Sequence, residues 1–393
     1  SFRKRFTMKI AIAGAGIGGL TAAALLAHDG HQVAVFDQFD TPQPVGSGLV
    51  IQPVGQAVLE EIGALNEALA LGNKVNHMLG HEADSNRRVL DVWYSRDAGG
   101  RFGLAIHRAS LFTAIWNAAQ RQGITVHKGA VVTGAQFGMV HLKNGKTHGP
   151  FDLVIDAAGA ASPLSPLVSQ PLPYGAIWGT VDWPQTDLPL TQLSQCYRRA
   201  DRMIGALPIG KMPDDPKQKA AVFWSLPRDD YAAWQNAGLA AWKAEAVALW
   251  PAFAPFIDQI NDQSQMTMAR YSHGTLRKPY GEGIVHIGDA AHRASPQLGQ
   301  GANMALLDAL ALSRALKQAT GQEALALYAK SRRLHVGIYQ AMSAIFTPQY
   351  QSDSRWLPAL RDRILFPASQ VPPVPRLLTA IVCGSMVSPT RGL

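Results

Sequence analysis

Residues Ile10–Gly30 read IAIAGAGIGGLTAAALLAHDG: an apolar strand, a glycine-rich turn at Gly14–Gly19, then an alanine-rich helix. Few folds tolerate such a run. The turn is too tight for side chains, and the helix that follows leaves its first amides without intrahelical partners. Lys9–Ala13 reads as a first strand, Leu20–His28 as a helix, and Gln32–Phe36 as a second strand closed by Asp37. A strand-helix-strand unit of this spacing, with an acid about 20 residues past the glycines, predicts a dinucleotide-binding turn. Gly14 permits the turn, Gly16 lets backbone approach a pyrophosphate, and Gly19 lets helix and strand pack closely. Ile17 and Gly18 complete the cofactor-binding turn, and the N-terminus of the helix that follows faces the phosphates. Asp37 is expected to accept hydrogen bonds from ribose hydroxyls.

Further along, Ala57–Ile62 and Leu65–Leu71 read as short helices and Val89–Tyr94 as a strand. Ser110–Gln122 reads as a helix with Ser110 as its N-cap. Thr125–His127 and the stretch Val131–Leu142 read as strands, with a turn near Asn144-Gly145. Asp152–Ile155 is a buried strand returning to the first domain. From Gln170 to Asp230 short strand-like runs alternate with turn signals, which predicts an antiparallel sheet. Helices over Tyr231–Ile260 should cover one face of it. Trp224, Trp234, Trp242 and Trp250 are read as core residues, with an aromatic substrate cavity as the alternative. Gly283–Ile287 is a strand, Asn303–Ala319 and Glu323–Ile345 are long helices, and the tail after Pro348 wraps the surface. The fold class is therefore α/β: a Rossmann-like nucleotide-binding domain, an inserted antiparallel β-sheet domain, and C-terminal helices.

Composition narrows the function. Apolar residues make up 47% and charged residues 16%, a globular balance. The net charge of +8 is scattered, with no block of like charge, so nucleic acid is not an expected partner. No apolar run suggests an integral membrane segment. Two distant cysteines, Cys196 and Cys383, exclude a disulfide framework and a zinc site and suit a cytoplasmic protein. Ser1–Thr7, ahead of Met8, are set aside from the fold reasoning as an extension.

Three segments carry a resemblance: GAGIGG with Asp37, FDLVIDAAGAAS (Phe151–Ser162), and GDAAHRASPQLGQGANMALLDALAL (Gly288–Leu312). In this order they resemble the FAD-dependent aromatic hydroxylases of the p-hydroxybenzoate hydroxylase type, from about Lys9 to Ile345. The resemblance implies FAD as cofactor, NADPH or NADH as reductant, and a flavin C4a-hydroperoxide that passes one oxygen from O₂ to a small aromatic or heteroaromatic substrate. It implies that Gly288 and Asp289 contact the ribityl and pyrophosphate region. Pro296 would lie beside the isoalloxazine. Gly299, Gln300, Gly301, Ala302 and Asn303 would open a helix toward the flavin pyrimidine edge. Arg108, in IHRASL, would pair with FAD phosphate, and Gly48 and Leu49, in VGSGLV, would approach the flavin. His292 is a candidate proton donor, though no catalytic side chain is firmly assigned.

The middle segment departs from the family's Asp-Gly pair. Ala158-Gly159 stands there, with Asp156 two residues earlier. That leaves nicotinamide handling open, and a flavin reductase or dehydrogenase, an epoxidase of the same superfamily, or a non-catalytic flavin protein remain alternatives. DAAG is also similar to a D-A-[ST]-G variant in halogenases, epoxidases and geranylgeranyl reductases, but no W-x-W-x-I-P pattern is present. The expected parts are flavin-binding at 8–75, 101–168 and 279–345, substrate-binding at 76–100 and 169–278, and a helical, proline-rich tail at 346–393. A monomer or homodimer is expected, without metal.

Overall fold

The computed structural model describes residues 7–40, 47–96, 100–294 and 300–393. The chain opens with β1 (Lys9–Ala13), α1 (Ile17–His28), β2 (Gln32–Phe36), β3 (Gly48–Ile51), α2 (Pro53–Glu61), α3 (Leu65–Leu71), β4 (Asn73–Val75), β5 (His77–Glu82) and β6 (Arg88–Trp93). β7 (Gly103–His107) leads into α4 (Arg108–Gln120), β8 (Thr125–His127), a meander of β9 (Val132–Gln136), β10 (Met139–Leu142) and β11 (Thr147–His148), and the return strand β12 (Leu153–Asp156). Long strands follow: β13 (Gln170–Asp182), β14 (Gln192–Arg198), β15 (Arg202–Met212) and β16 (Asp215–Pro227). After α5 (Tyr231–Leu249) and α6 (Ala254–Ile257) come β17 (Met266–Thr275), β18 (Tyr280–Gly281), β19 (Ile284–His286) and β20 (His292–Arg293). The chain ends in α7 (Gly301–Gln318), α8 (Gly321–Tyr350), α9 (Trp356–Leu360), a π-helical turn Arg361–Leu365, α10 (Phe366–Ser369) and α11 (Val374–Cys383).

Two sheets organise these elements. The first has the order β18-β19-β12-β1-β2-β8, with β1 between β2 and β12 in parallel register. Its central strands are apolar on both faces and buried, as a parallel sheet covered on both sides requires. Helices α1, α4 and α7 supply one cover, through Leu20, Leu26, Leu111, Ile115, Leu306 and Leu310.

The second sheet runs β20-β17-β13-β16-β15-β14-β5-β6. Its two faces differ by strand parity. Ile177, Val222, Trp224 and Ile204 pack under α5 and α6 with Trp234, Trp242 and Phe256. Trp178 and Phe223 point the other way. On that side Leu207, Ile209 and Ala221 meet Val50, Val75 and Ala105 of the small sheet β3-β7-β4.

The structure corrects several expectations. Helix α4 starts at Arg108, and its cap is His107, whose Nδ1 accepts from the Ala109 amide at 2.9 Å. Ser110 lies inside the first turn, buried, donating to the Lys211 carbonyl at 2.6 Å. The last long helix runs on through Pro348 to Tyr350. The tail after it is helical, and α11 buries Thr379, Ile381 and Cys383 before a left-handed Gly384 stops it. Trp224, Trp234 and Trp242 are core residues, and Trp250 packs beside them.

Candidate flavin and substrate site

At the first turn Gly14 adopts φ +104°, and a Cβ there would lie 2.4 Å from the Ala157 carbonyl oxygen. Only glycine fits. Gly16 is exposed, and a Cβ on it would meet nothing within 4 Å. Open backbone therefore faces the cleft where α1 begins. The helix has no side-chain cap and no acid in its first turn. Its leading amides and the positive end of its dipole are left for an anion. Asp37 is partly engaged elsewhere. Its Oδ2 accepts from Ala15 N at 2.8 Å and its Oδ1 from Phe39 N at 3.0 Å, so it braces the turn and keeps only its remaining lone pairs for a hydroxyl. Gly18 and Gly19 serve packing: added Cβ atoms would lie 3.2 Å from Ala305 Cβ and 2.0 Å from Gly14 O.

The segment after β19 is held from inside. Gly288 N donates to Asp308 Oδ2 at 2.9 Å, so this amide does not face a cofactor. His292 Nε2 meets the same carboxylate oxygen at 2.6 Å. Arg332 Nε donates to Asp308 Oδ1 at 2.7 Å, and its NH1 reaches the Pro389 carbonyl at 2.6 Å. Burial pushes the Asp308 pKa up, but His292 and Arg332 outweigh it and hold the group at about 2. His292, the candidate proton donor, is thus locked into a buried ion network and presents no free nitrogen toward the cleft by that edge. Asp289, in contrast, is exposed.

Helix α7 is also uncapped by any side chain. Gly301 is exposed, with open space where a Cβ would stand, and Ala302 is half-buried beside it. The neighbouring side chains are committed to the scaffold. Gln300 Nε2 donates to the Val382 carbonyl at 2.8 Å. Asn303 Oδ1 accepts from Gln52 N at 2.8 Å, and its Nδ2 donates to the Val50 carbonyl at 3.2 Å. Pro296 and Gly299 lie outside the described residues. At Gly48 the close approach is of protein to protein, since a Cβ would lie 2.5 Å from Ile209 Cγ2. Leu49 packs on the first core.

Arg108 stands at the other wall. Its backbone amide donates to the Ser47 carbonyl at 2.8 Å, which ties α4 to the start of β3. Its guanidinium is half-buried, and no hydrogen bond or ion pair holds it among the described residues. Burial lowers its pKa, and the neighbouring Asp289 and Tyr271 oppose that shift. Tyr271 accepts a hydrogen bond from the Trp178 indole N–H at 3.0 Å. Burial pushes its phenol up to about 12, against the Trp178 bond and Arg108. It keeps its proton, and that proton has no acceptor among the described residues. Phe223 lies 4.6 Å from Trp178 between ring centroids.

A family model for the FAD binding domain matches residues 7–338. The chain belongs to the FAD binding domain family. Among curated members, it is 25% identical to hispidin-3-hydroxylase of Neonothopanus nambi over 91% of this chain and 93% of that protein. It is 26% identical to kynurenine 3-monooxygenase of Stenotrophomonas maltophilia, over 85% of this chain and 77% of that one. The fold matches Klebsiella pneumoniae HpxO, solved with FAD and uric acid, at a TM-score of 0.80 and 19% identity, covering 98% of each chain. The resemblance to the FAD-dependent aromatic hydroxylases therefore holds, and with it the reading as a flavoprotein monooxygenase.

The residues present suit the family's cofactor. Two helix N-termini without a side-chain cap, an open glycine at position 16 and a guanidinium with no hydrogen bond or ion pair among the described residues have the chemistry to receive a pyrophosphate-bearing group. The departure at Ala158 also has a structural content. Asp156 is fully buried: its Oδ1 accepts from Ala158 N at 3.2 Å and from Ser162 Oγ at 2.6 Å, and its Oδ2 meets His286 Nδ1 at 2.7 Å. This acid folds the turn instead of facing a ligand. Gly159 follows at φ +77° with open space where a Cβ would stand. Motif reading did not single out Asp308, Arg332, Trp178 or Tyr271 as site residues. Strand alternation along β13 offered a signal for Trp178, because Ile177 and Val181 mark the core parity. The Asp308 network had no local signal, since its members lie far apart in sequence.

Proposed function

We propose that this chain hydroxylates a small phenolic or hydroxy-heteroaromatic substrate, with NADPH or NADH as reductant and O₂ as oxidant. The observation that supports the reading is the Trp178–Tyr271 hydrogen bond on the sheet face turned away from α5 and α6, with Arg108 near enough to act on Tyr271. When bound, FAD supplies the redox and oxygen chemistry, and the protein contributes binding, orientation and a dry site.

The chain's own residues divide the work. The amides at the start of α1, with Gly16, receive the pyrophosphate, and Asp37 keeps a lone pair for a ribose hydroxyl. Arg108 adds a cation to the phosphate side, and Asp289 accepts from cofactor hydroxyls. The first amides of α7, at Gly301 and Ala302, stabilise negative charge on the flavin edge, an effect of roughly 1–2 kcal/mol when partly buried. Pro296 and Gly299 are assigned to the same edge by sequence. Tyr271 donates its phenolic hydrogen bond to an oxygen on the substrate ring, and Trp178 and Phe223 flank that ring. Residues 76–100 and 169–278 form the substrate side of this arrangement. The two cysteines are buried and lie far apart in the sequence, which suits a cytoplasmic enzyme.

The test is a product-resolved screen. Purified holoprotein is offered NADPH or NADH with a panel of phenols, hydroxypyridines and quinolones. The expected result is faster NAD(P)H consumption with a product heavier by one oxygen atom. Stimulation by none of them, or peroxide as the sole product, overturns the reading in favour of a flavin reductase.

A further inference from the structure

We propose that the helical run Trp356–Ser369 is a docking face for an anionic lipid surface. Most of the large apolar side chains that the described residues expose lie between Leu334 and Leu377. Within that stretch α9, the π-helical turn and α10 form one unbroken run. Its inner side is pinned. Arg361 is 1% exposed, donates to the Gln349 carbonyl at 2.8 Å, and stands 5.4 and 5.0 Å from the Tyr197 and Tyr350 ring centres. Pro358 is buried beside it.

The outer side shows the opposite chemistry. Trp356, Leu360 and Ile364 follow each other at four-residue spacing and are 85%, 41% and 58% exposed. Arg363 is exposed on the same side, and Arg355 is exposed at its leading edge. Aromatic and aliphatic side chains interleaved with arginine, on a helix too short to cross a bilayer, describe an element that lies in the headgroup region.

Charge decides between lipid and a second copy of the chain. The nearby acids are already engaged: Asp353 accepts from the Tyr174 hydroxyl at 2.5 Å, and Asp362 from Arg361 Nε at 2.6 Å. Arg355 and Arg363 are in no ion pair among the described residues. A two-fold contact would set this basic face against itself, with four arginines (Arg355, Arg361, Arg363 and Arg376) facing only two carboxylates, Asp353 and Asp362, between residues 351 and 377. Lipid phosphates supply the missing charge. No helix among the described residues is long and apolar enough to span a membrane, so the attachment is peripheral.

The experiment is vesicle co-sedimentation of the FAD-loaded protein and does not depend on its reaction. Vesicles of phosphatidylcholine with roughly 30 mol % phosphatidylglycerol should bind it, and phosphatidylcholine alone should not. Trp356→Ser with Ile364→Ser should weaken binding at least ~tenfold. Arg355→Glu with Arg363→Glu should do the same, as should raising NaCl from about 0.1 to about 0.5 M. Lys143→Glu with Lys146→Glu, exposed on the distant hairpin turn, should leave binding unchanged. Flavin content and circular dichroism check that each variant is folded. A second reading uses the unaltered protein: brominated lipid should quench tryptophan emission, and Trp356→Phe should bind but lose that quenching. No binding to the anionic vesicles overturns the proposal, as does equal loss in the lysine control. So does a solution dimer that the serine pair converts to monomer without any vesicle binding.

Discussion

The two faces of the large sheet carry the same residue type in opposite roles. Under α5 and α6, Trp224, Trp234 and Trp242 meet edge to face with centroids 6.1 and 5.9 Å apart. The indole N–H groups of Trp234 and Trp242 have no hydrogen-bond partner among the described residues, a cost offset by the apolar packing around them. On the other face Trp178 is half-buried, and its N–H is satisfied by Tyr271. One face uses tryptophan for volume, the other for a surface with a polar handle. Tryptophan density along a sequence therefore does not locate an aromatic site, whereas strand parity does.

The comparison can be broken in steps. Trp242→Ala should have the largest effect, costing ~3–5 kcal/mol in denaturant unfolding. FAD affinity of the remaining folded protein should stay within about twofold. A large affinity loss would mean that the two faces are coupled.

Acid comes next. His107 and His335 are both held at about 4 by burial, with Arg108 and Arg332 respectively adding to the shift. Each stays neutral in the fold while the unfolded chain takes up a proton below about pH 6.5. Stability is then full above about pH 6.5 and falls toward pH 4, by up to roughly 1.4 kcal/mol per pH unit for each histidine. The sequence from Pro150 to Ser272 contains no histidine, so this loss belongs to the flavin side and the C-terminal helices. A pH series of unfolding midpoints checks it; a flat profile from 6.5 to 4.5 would remove these histidines from the account.

Arg108→Ala should weaken FAD binding about tenfold or more, equivalent to ~1.4 kcal/mol, by flavin fluorescence titration. The apoprotein should be no less stable, because the guanidinium has no hydrogen-bond or ion-pair partner among the described residues to lose. The smallest effect is expected of Tyr271→Phe: under ~1 kcal/mol in stability, with a several-fold rise in substrate KM. An unchanged KM would take Tyr271 out of the substrate site.

Much of this architecture was legible. The parallel-sheet strands and α1 follow from local apolar runs and glycine turns, and the motif order carried the family. What escaped depended on distance in sequence. The Asp308 carboxylate gathers Gly288, His292 and Arg332, and nothing in GQGANMALLDA shows that its aspartate faces inward. Gly288 reads as a cofactor contact and His292 as a candidate proton donor because their spacing is the family's, but the Gly288 amide and His292 Nε2 both meet Asp308. The Asn303 side chain is held by Val50 and Gln52. The Ser110 cap failed by one turn because His107 offers a ring nitrogen where a hydroxyl was expected. The tail, expected to be helical and proline-rich, keeps its helices because the prolines of α10 and α11 sit in their first turns, where they are tolerated.

The Asn303 amide bridges Val50 and Gln52, and helix α2 passes so close that a Cβ at Gly55 would lie 2.3 Å from Asn303 Oδ1. Positions 55 and 303 therefore behave as the two halves of a lock cut from remote parts of one chain. Neither can be exchanged freely alone, and a relative that enlarges residue 55 must find another latch between the end of its third strand and the helix that begins at position 301.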